Sequence, residues 1–236
     1  MKIKIPVRVD APETNLYVEI LTKNNISFGT RSIMLLVPGG PGGNHTVFNA
    51  IKEDLFQFSD LILFDPRGCG NSDDADPIFC TIDHYINDIE AIRKHFNLNK
   101  IILLGGSYGA MASMGYAIKF GLFVEKLILI AGAPSFHFIE TAQKNLKERG
   151  TPEQNKAAED LWNGTFKNSE HFKEYYKIMA SLYLYKQPEI KNSLPTIKTN
   201  IPCEQPLFFV GAGIGERSSF DPIIKKLATE KYYENE

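Results

Sequence analysis

Short, continuously apolar runs recur through the first half of the chain and are separated by glycine-rich or helix-like segments. Such runs are typical of strands covered on both faces of a sheet, and they occupy residues 33–37, 61–64 and 101–104. A further buried strand is predicted at 126–131, which is apolar after Lys126. Residues 2–9 and 15–22 are also predicted as strands, and the second alternates between apolar and polar positions. Residues 82–96 carry apolar side chains at helical spacing. Strands that alternate with helices in this way predict a mainly parallel α/β sheet.

The pattern changes at Pro134, after the last of these runs. Residues 136–200 are polar and helix-like, with aromatic side chains that are expected to pack against one another. Because ligands of open α/β sheets bind at the carboxyl ends of the strands, we interpret this segment as a helical insertion over that edge. The sequence thus predicts an α/β core at residues 1–134. Residues 135–236 are predicted to form a helical cap and a shortened carboxyl-terminal segment.

Composition narrows the class of protein. The 236 residues are 43% hydrophobic and 23% charged, which suits one soluble domain with a sizeable insertion. A net charge of −2 argues against nucleic acid or an anionic membrane as the main partner, and no run is long enough to cross a bilayer. The three cysteines, Cys69, Cys80 and Cys203, have no metal-binding spacing. We expect a cytoplasmic protein without a metal or a cofactor, and the oligomeric state is left open.

The stretch Gly105-Gly-Ser-Tyr-Gly109 lies between the apolar run 101–104 and a helix-like segment at 110–120. This is the strand–turn–helix context of a G-x-S-x-G nucleophile elbow. A serine on such a tight turn needs a strained backbone, and glycines at 105 and 109 avoid collisions with the strand and the helix. The pattern therefore favours Ser107 as a nucleophile over a plain glycine-rich loop, with the Tyr108 amide facing a developing oxyanion.

A second glycine-rich loop, Pro38-Gly-Gly-Pro-Gly-Gly43, follows the apolar run 33–37. No Lys-Ser or Lys-Thr pair comes after it, so a phosphate-binding loop is disfavoured. In hydrolases with a nucleophile elbow, a loop in this place supplies a second oxyanion amide. Farther along the chain, Asp65 and Arg67 are interpreted as a salt-bridged pair that stabilises a turn, in preference to catalytic residues.

Three motifs, in this order and at these separations, carry a family resemblance: Gly39-Gly-Pro-Gly42, Asp65-Pro-Arg-Gly-Cys-Gly-Asn-Ser72 and Gly105-Gly-Ser-Tyr-Gly109. Together they resemble the motifs of the proline iminopeptidase (prolyl aminopeptidase) group of α/β-hydrolases. The resemblance covers residues 1–134 well and the cap loosely. The chain departs from the family at Pro38, where histidine is usual, and at Tyr108, where tryptophan is common.

The resemblance implies an α/β-hydrolase fold with a helical cap, and an enzyme that removes an N-terminal proline from small peptides. It implies Ser107 as the nucleophile and oxyanion donors at Gly40 and Tyr108. In the family a glutamate of the cap region binds the free amino group of the substrate. The segment 202–209 is similar to the one that carries such a glutamate, which places it at Glu204.

The acid and the base of a catalytic triad are not evident. Downstream of Ser107 the only histidines are His137 and His171, and no carboxylate adjoins His137 in the stretch 135–138. Either Asp221 is the acid, or the chain stops before the last two strands of the fold and lacks both acid and base. We favour the second interpretation and expect a very poor hydrolase. The alternatives are a small-molecule esterase or another α/β-hydrolase, and a catalytically inactive remnant or binding protein.

Overall fold

The computed structural model describes residues 1–8, 12–23, 28, 31–40, 42–135, 137–163, 165–167 and 169–183. These residues fall into two compact units. The first runs from Met1 to Gly132, and the second takes the described residues from Ala133 onward. Each unit has its own architecture and its own apolar core.

The first unit is built on a six-stranded mixed sheet. The strands are β1 (Lys2–Val7), β2 (Thr14–Leu21), β3 (Ile33–Val37), β4 (Asp60–Phe64), β5 (Ile101–Gly106) and β6 (Val124–Ile130). Their order across the sheet is β1-β2-β4-β3-β5-β6. The β1–β2 and β2–β4 pairs are antiparallel, and β3–β4, β3–β5 and β5–β6 are parallel. The four parallel strands therefore end at the same edge of the sheet, which is where the two glycine-rich loops begin.

The burial of the strands follows the sequence pattern at the centre of the sheet and departs from it at one edge. Every residue of β3 and β4 is buried, while β2 alternates, as predicted. The strand predicted at 126–131 is present as β6, but its predicted burial is wrong. Its four apolar residues Leu127, Ile128, Leu129 and Ile130 are 37–48% exposed. Successive residues of a strand point to opposite faces, so the exposure of all four shows that neither face of β6 is fully covered. Among the described residues, β6 pairs in the sheet only with β5.

The described part of the first unit has three α-helices: α1 (Lys52–Phe58), α2 (Ile82–His95) and α3 (Tyr108–Phe120). The Thr81 side chain caps the start of α2 by accepting a hydrogen bond from the His84 amide. The buried face of α2 includes Ile82, Ile86 and Ile89, at the spacing of an amphipathic helix. Helices α2 and α3 pack against each other, and α3 also covers β5. The nucleophile candidate thus stands at the start of a well-packed helix.

The second unit, as far as it is described, is a small helical layer. It contains α4 (Phe138–Arg149), α5 (Pro152–Asn163) and α6 (Ser169–Tyr183). Its core combines aliphatic with aromatic side chains: Leu146, Ala158, Leu161, Phe166, Phe172, Tyr175 and Met179. The rings of Phe166 and Phe172 meet edge to face at 5.0 Å. Internal packing of the aromatic side chains is therefore confirmed for this part of the chain. Within the described ranges, no helix is long and apolar enough to cross a membrane.

Candidate active site

Ser107 lies on the turn between β5 and α3, in a backbone conformation that serine rarely adopts. Its φ is 53° and its ψ is −121°. In this region the Cβ of an L residue crowds its own backbone, at a cost of about 1–3 kcal/mol. Two backbone hydrogen bonds hold the turn: the Ser107 amide donates to the Ile130 carbonyl (2.8 Å), and the Ser107 carbonyl accepts from the Ala110 amide (3.0 Å). The strained turn leaves the Ser107 side chain exposed.

The glycines on either side of the turn are required for steric reasons. A Cβ on Gly105 would meet the Gly109 carbonyl oxygen and, at 2.5 Å, Ser113 Oγ. A Cβ on Gly109 would meet the carbonyl oxygens of Val37 and Pro38. The predicted role of these two glycines is therefore confirmed. Gly106 is different, because no atom beyond its own chain neighbours lies within 4 Å of the position that its Cβ would take.

The loop that follows β3 lies directly against this turn. A Cβ built on Gly39 would lie 2.8 Å from the Gly106 carbonyl oxygen and 3.1 Å from Ser107 Cβ. A Cβ built on Gly40 would lie 3.6 Å from Cδ1 of Tyr108. The structure therefore brings together Ser107, Gly40 and Tyr108, the three residues that the sequence named for the nucleophile and the oxyanion donors. Amides at neighbouring loop and helix starts are well suited to bind one oxyanion.

The predicted ion pair between Asp65 and Arg67 is wrong, because each residue has a different partner. Asp65 Oδ1 accepts a hydrogen bond from the His45 amide (2.8 Å) and lies 2.6 Å from His45 Nδ1. Asp65 Oδ2 accepts from the Asn71 amide at 2.8 Å. Arg67 donates from Nε to Asp88 Oδ2, also at 2.8 Å, in a buried two-bond pair with α2. Asp65 still stabilises a turn, but its partners come from the loop after β3 and from its own turn.

The pair of His45 and Asp65 has the chemistry of a histidine oriented by a carboxylate, and the further contacts of His45 are with β2. The His45 ring packs on Tyr17 of β2, with ring centroids 4.9 Å apart, and its Nε2 lies 3.8 Å from Glu19 Oε2. In the sheet order, β2 is three strands from β5, which is roughly 14 Å at about 4.8 Å per strand. A general base must be within hydrogen-bonding reach of the serine. The partners of His45, which are Asp65, Tyr17 and Glu19, lie on the β2 and β4 side of the sheet, and we do not assign His45 as the base for Ser107.

The two histidines downstream of Ser107 belong to the second unit, and each faces a carboxylate. His137 Nδ1 lies 3.5 Å from Glu140 Oε2, and both side chains are exposed. His171 Nε2 lies 3.2 Å from Asp160 Oδ2. The stretch 135–138 itself holds no carboxylate, and the partner of His137 lies just beyond it. Its partner is three residues away, so the two meet on one side of a helical turn that begins at this position.

Two residues of the predicted site lie outside the described residues. These are Glu204, the predicted partner of the substrate amino group, and Asp221, one of the two alternatives for the acid. Both stay predictions. Within the described ranges, no group of three or more His, Cys, Asp or Glu side chains is arranged to hold a metal ion.

Comparison with known proteins agrees with the fold and with the motifs. The alpha/beta hydrolase fold family matches residues 32–150. A proline iminopeptidase from Saccharolobus solfataricus is 33% identical over 168 residues, which cover 68% of this chain and 54% of the relative. The proline iminopeptidase PfmaB from Pestalotiopsis fici is 32% identical over 163 residues, which cover 64% of this chain and 55% of the relative. The chain spans about half the length of these curated relatives.

A solved structure gives the same result for the fold. The crystal structure of a proline iminopeptidase from Mycobacterium smegmatis superposes with a TM-score of 0.55 at 17% sequence identity. The match covers 76% of this chain and 68% of that protein. The resemblance to proline iminopeptidases that the three motifs indicated is confirmed by the curated relatives, and the predicted sheet-and-helix architecture is confirmed with it. The chain belongs to the α/β-hydrolase fold family.

Proposed function

We propose that this chain is a serine hydrolase of the proline iminopeptidase type, in which Ser107 attacks the carbonyl group of an N-terminal prolyl residue in a small peptide. One observation carries the proposal. Ser107 occupies a strained backbone conformation, exposes its side chain, and lies against the Gly39–Gly40 segment. Strain of this kind persists where the surrounding structure enforces it, commonly at catalytic residues. The curated relatives, both of them proline iminopeptidases, support the choice of substrate class.

The chemistry follows from the positions of the three groups. Attack forms a bond between Ser107 Oγ and the carbonyl carbon, and the hydroxyl proton passes to a base. The Gly40 and Tyr108 amides donate hydrogen bonds to the resulting oxyanion, and loss of one such donor typically costs 10²–10³-fold in rate. The carbon–nitrogen bond then breaks as the leaving amine takes up a proton. Water finally releases proline from the acyl-enzyme.

Proton transfer from Ser107 limits the rate that we expect. Positioned general-base catalysis is typically worth 10²–10⁴-fold. His45 is bound to Asp65 and packs on Tyr17 of β2, so we do not assign it as that base. We therefore expect turnover that depends on Ser107 but lies at least about 100-fold below an ordinary value of about 10 s⁻¹.

The test is hydrolysis of proline 4-nitroanilide and of 4-nitrophenyl acetate by the purified full chain, with Ser107→Ala as the blank. A fluorophosphonate probe and peptide mass analysis identify the labelled residue independently of turnover. The proposal expects slow release of nitroaniline and an adduct on Ser107, and both are absent in Ser107→Ala. Equal rates in the two proteins would exclude Ser107 as the nucleophile. Cleavage of the ester alone would replace the aminopeptidase assignment by an esterase.

Glu204 gives a second test of the substrate class. A substrate with a free, cationic amino group needs an anionic partner, and the family resemblance assigns this role to Glu204. We expect Glu204→Gln to raise KM for proline 4-nitroanilide about tenfold or more and to leave KM for the uncharged ester within twofold. A parallel change with both substrates would show that Glu204 does not recognise the amino group.

A further inference from the structure

Tyr85 links the two segments that carry the oxyanion donors, although it belongs to neither. It lies on α2 and is 6% exposed. Its hydroxyl donates a hydrogen bond to the Pro38 carbonyl at 2.8 Å. Its ring is stacked beside that of Tyr108, with centroids 6.0 Å apart and planes at 23°, and meets the edge of Phe64 at 5.8 Å. Burial raises the pKa of Tyr85 well above its ordinary value, so the hydroxyl stays a donor at every physiological pH.

The sheet itself does not fix the distance between the two donors. The backbone pairing of β3 with β5 has its last register pair at Val37 and Gly105. Gly40 and Tyr108 both lie beyond that pair. On the loop side, Pro38 immediately precedes the Gly39–Gly40 segment. On the helix side, the Tyr108 ring stacks beside Tyr85, and its Cδ1 lies 3.6 Å from the position that a Cβ on Gly40 would take. Tyr85 therefore contacts both segments where the pairing between the strands has ended.

We propose that Tyr85 is a positioning residue that sets the separation of the Gly40 and Tyr108 amides and thereby the width of the oxyanion site. The inference rests on the proposed function, which identifies these two amides as oxyanion donors. The contacts of Tyr85 with the two segments do not depend on turnover. The bond to Pro38 holds the start of the loop, and the stacked ring holds the Tyr108 side. A change at Tyr85 acts on the oxyanion through these two contacts and not by touching the substrate.

The test compares Tyr85→Phe with a matched control, Tyr116→Phe. Both substitutions keep the ring and remove one buried hydroxyl. Tyr116 is fully buried, and its hydroxyl donates to Glu90 Oε2 at 2.8 Å, between α3 and α2. The first measurement is amide hydrogen exchange, resolved at Gly39, Gly40 and Tyr108. We expect exchange at these amides to be about tenfold faster in Tyr85→Phe than in Tyr116→Phe, with the amides of β5 unchanged as proof of folding.

The second measurement is the affinity for phenylboronic acid in wild type, in both tyrosine variants and in Ser107→Ala. The boron accepts Ser107 Oγ, the hydroxyl proton passes to water, and the tetrahedral anion that forms presents an oxygen to the oxyanion donors. Complete loss of a donor costs 10²–10³-fold, and a displaced donor keeps part of its effect. We expect Kd to rise about tenfold in Tyr85→Phe and to stay within twofold of wild type in Tyr116→Phe.

The two measurements separate the failure of this inference from failure of the proposed function. Unchanged exchange at Gly39, Gly40 and Tyr108 overturns the inference, whatever the boronic acid does. An unchanged Kd in Tyr85→Phe also overturns it when wild type binds the boronic acid through Ser107. If wild type binds no better than Ser107→Ala while exchange rises as expected, the proposed function fails and the positioning role of Tyr85 stands.

Discussion

Replacement of Ser107 by glycine should make the protein more stable while it removes the proposed nucleophile. The φ of 53° and ψ of −121° cost an L residue about 1–3 kcal/mol, and glycine adopts them without the Cβ conflict. About 0.5–1 kcal/mol of this gain in stability is lost, because glycine has more conformational freedom in the unfolded chain. The exposed serine side chain has little packing to lose. We expect Ser107→Gly to raise the free energy of unfolding by about 1 kcal/mol, a rise in Tm of about 2–4 °C.

The assay is thermal and urea unfolding of wild type, Ser107→Gly and Ser107→Ala, followed by far-ultraviolet circular dichroism. Ser107→Ala is the matched control, because it removes the hydroxyl and keeps the Cβ that causes the strain. We expect it to stay within about 0.5 kcal/mol of wild type. If the glycine variant were no more stable than the alanine variant, the turn would store no strain in the Ser107 backbone. The principal structural support for the nucleophile would then be lost.

Three further outcomes follow from contacts in the first unit. Gly109→Ala should destabilise the protein by about 2–3 kcal/mol or more, because the new Cβ meets the backbone carbonyls at the end of β3. The control Gly106→Ala should change the free energy of unfolding by less than about 0.5 kcal/mol. Equal effects in urea unfolding would contradict the steric requirement. Arg67→Met should cost about 3–5 kcal/mol, because it leaves the buried Asp88 carboxylate unpaired, and Arg67→Met/Asp88→Leu should recover most of that loss. A double variant as unstable as the single one would show that packing, not charge, sets the cost. Burial raises the pKa of Cys80 to about 11, so little reactive thiolate is present at pH 8. Iodoacetamide at this pH should therefore modify Cys80 at least about tenfold more slowly in the native protein than in urea, as measured by peptide mass analysis. Equal rates would show that the thiol is accessible.

The central strands and the elbow were predictable because their signals are local. Continuous apolar runs at 33–37 and 101–104 leave no polar face, so they predict buried strands, and the structure has β3 and β5 there. Gly105 and Gly109 were predictable for the same reason, since the sterics of a tight strand-to-helix turn depend on the turn itself. The sequence also placed Ser107 beside a second glycine-rich loop, because parallel strands present their following loops at one edge of the sheet.

The partners of buried charges were not predictable, because they depend on packing between distant segments. Asp65 and Arg67 are two residues apart, so a mutual ion pair was the simplest interpretation of the sequence. In the fold, Arg67 reaches Asp88, 21 residues away on α2, and Asp65 bonds to His45, 20 residues away. The ion-pair and hydrogen-bond partners of Arg67 and Asp65 depend on how α2 packs and on the conformation of the loop after β3. No periodicity in the chain encodes either event.

The exposure of β6 was missed for a related reason. An apolar run shows that a strand is suited to burial, but it does not show which segment covers it. Helix α1 was also not predicted, because Lys52–Phe58 is only seven residues long and none of its side chains is buried. Helix patterns of that length give too few turns to reveal an apolar face. Both failures concern how an element meets its neighbours, and not what the element is.

Among the described residues, β6 is an outer strand of the sheet, and its last residue contacts the proposed nucleophile turn. The carbonyl of Ile130, the last residue of β6, accepts the hydrogen bond of the Ser107 amide. An outer strand with apolar side chains is a place where a further strand can pair. Any strand added there would restrain Ile130, and the restraint would pass through one hydrogen bond to Ser107. The position of Ile130 thus bears directly on the serine turn. Substitutions in β6 would therefore alter the mobility of the serine turn without replacing a residue of the oxyanion site.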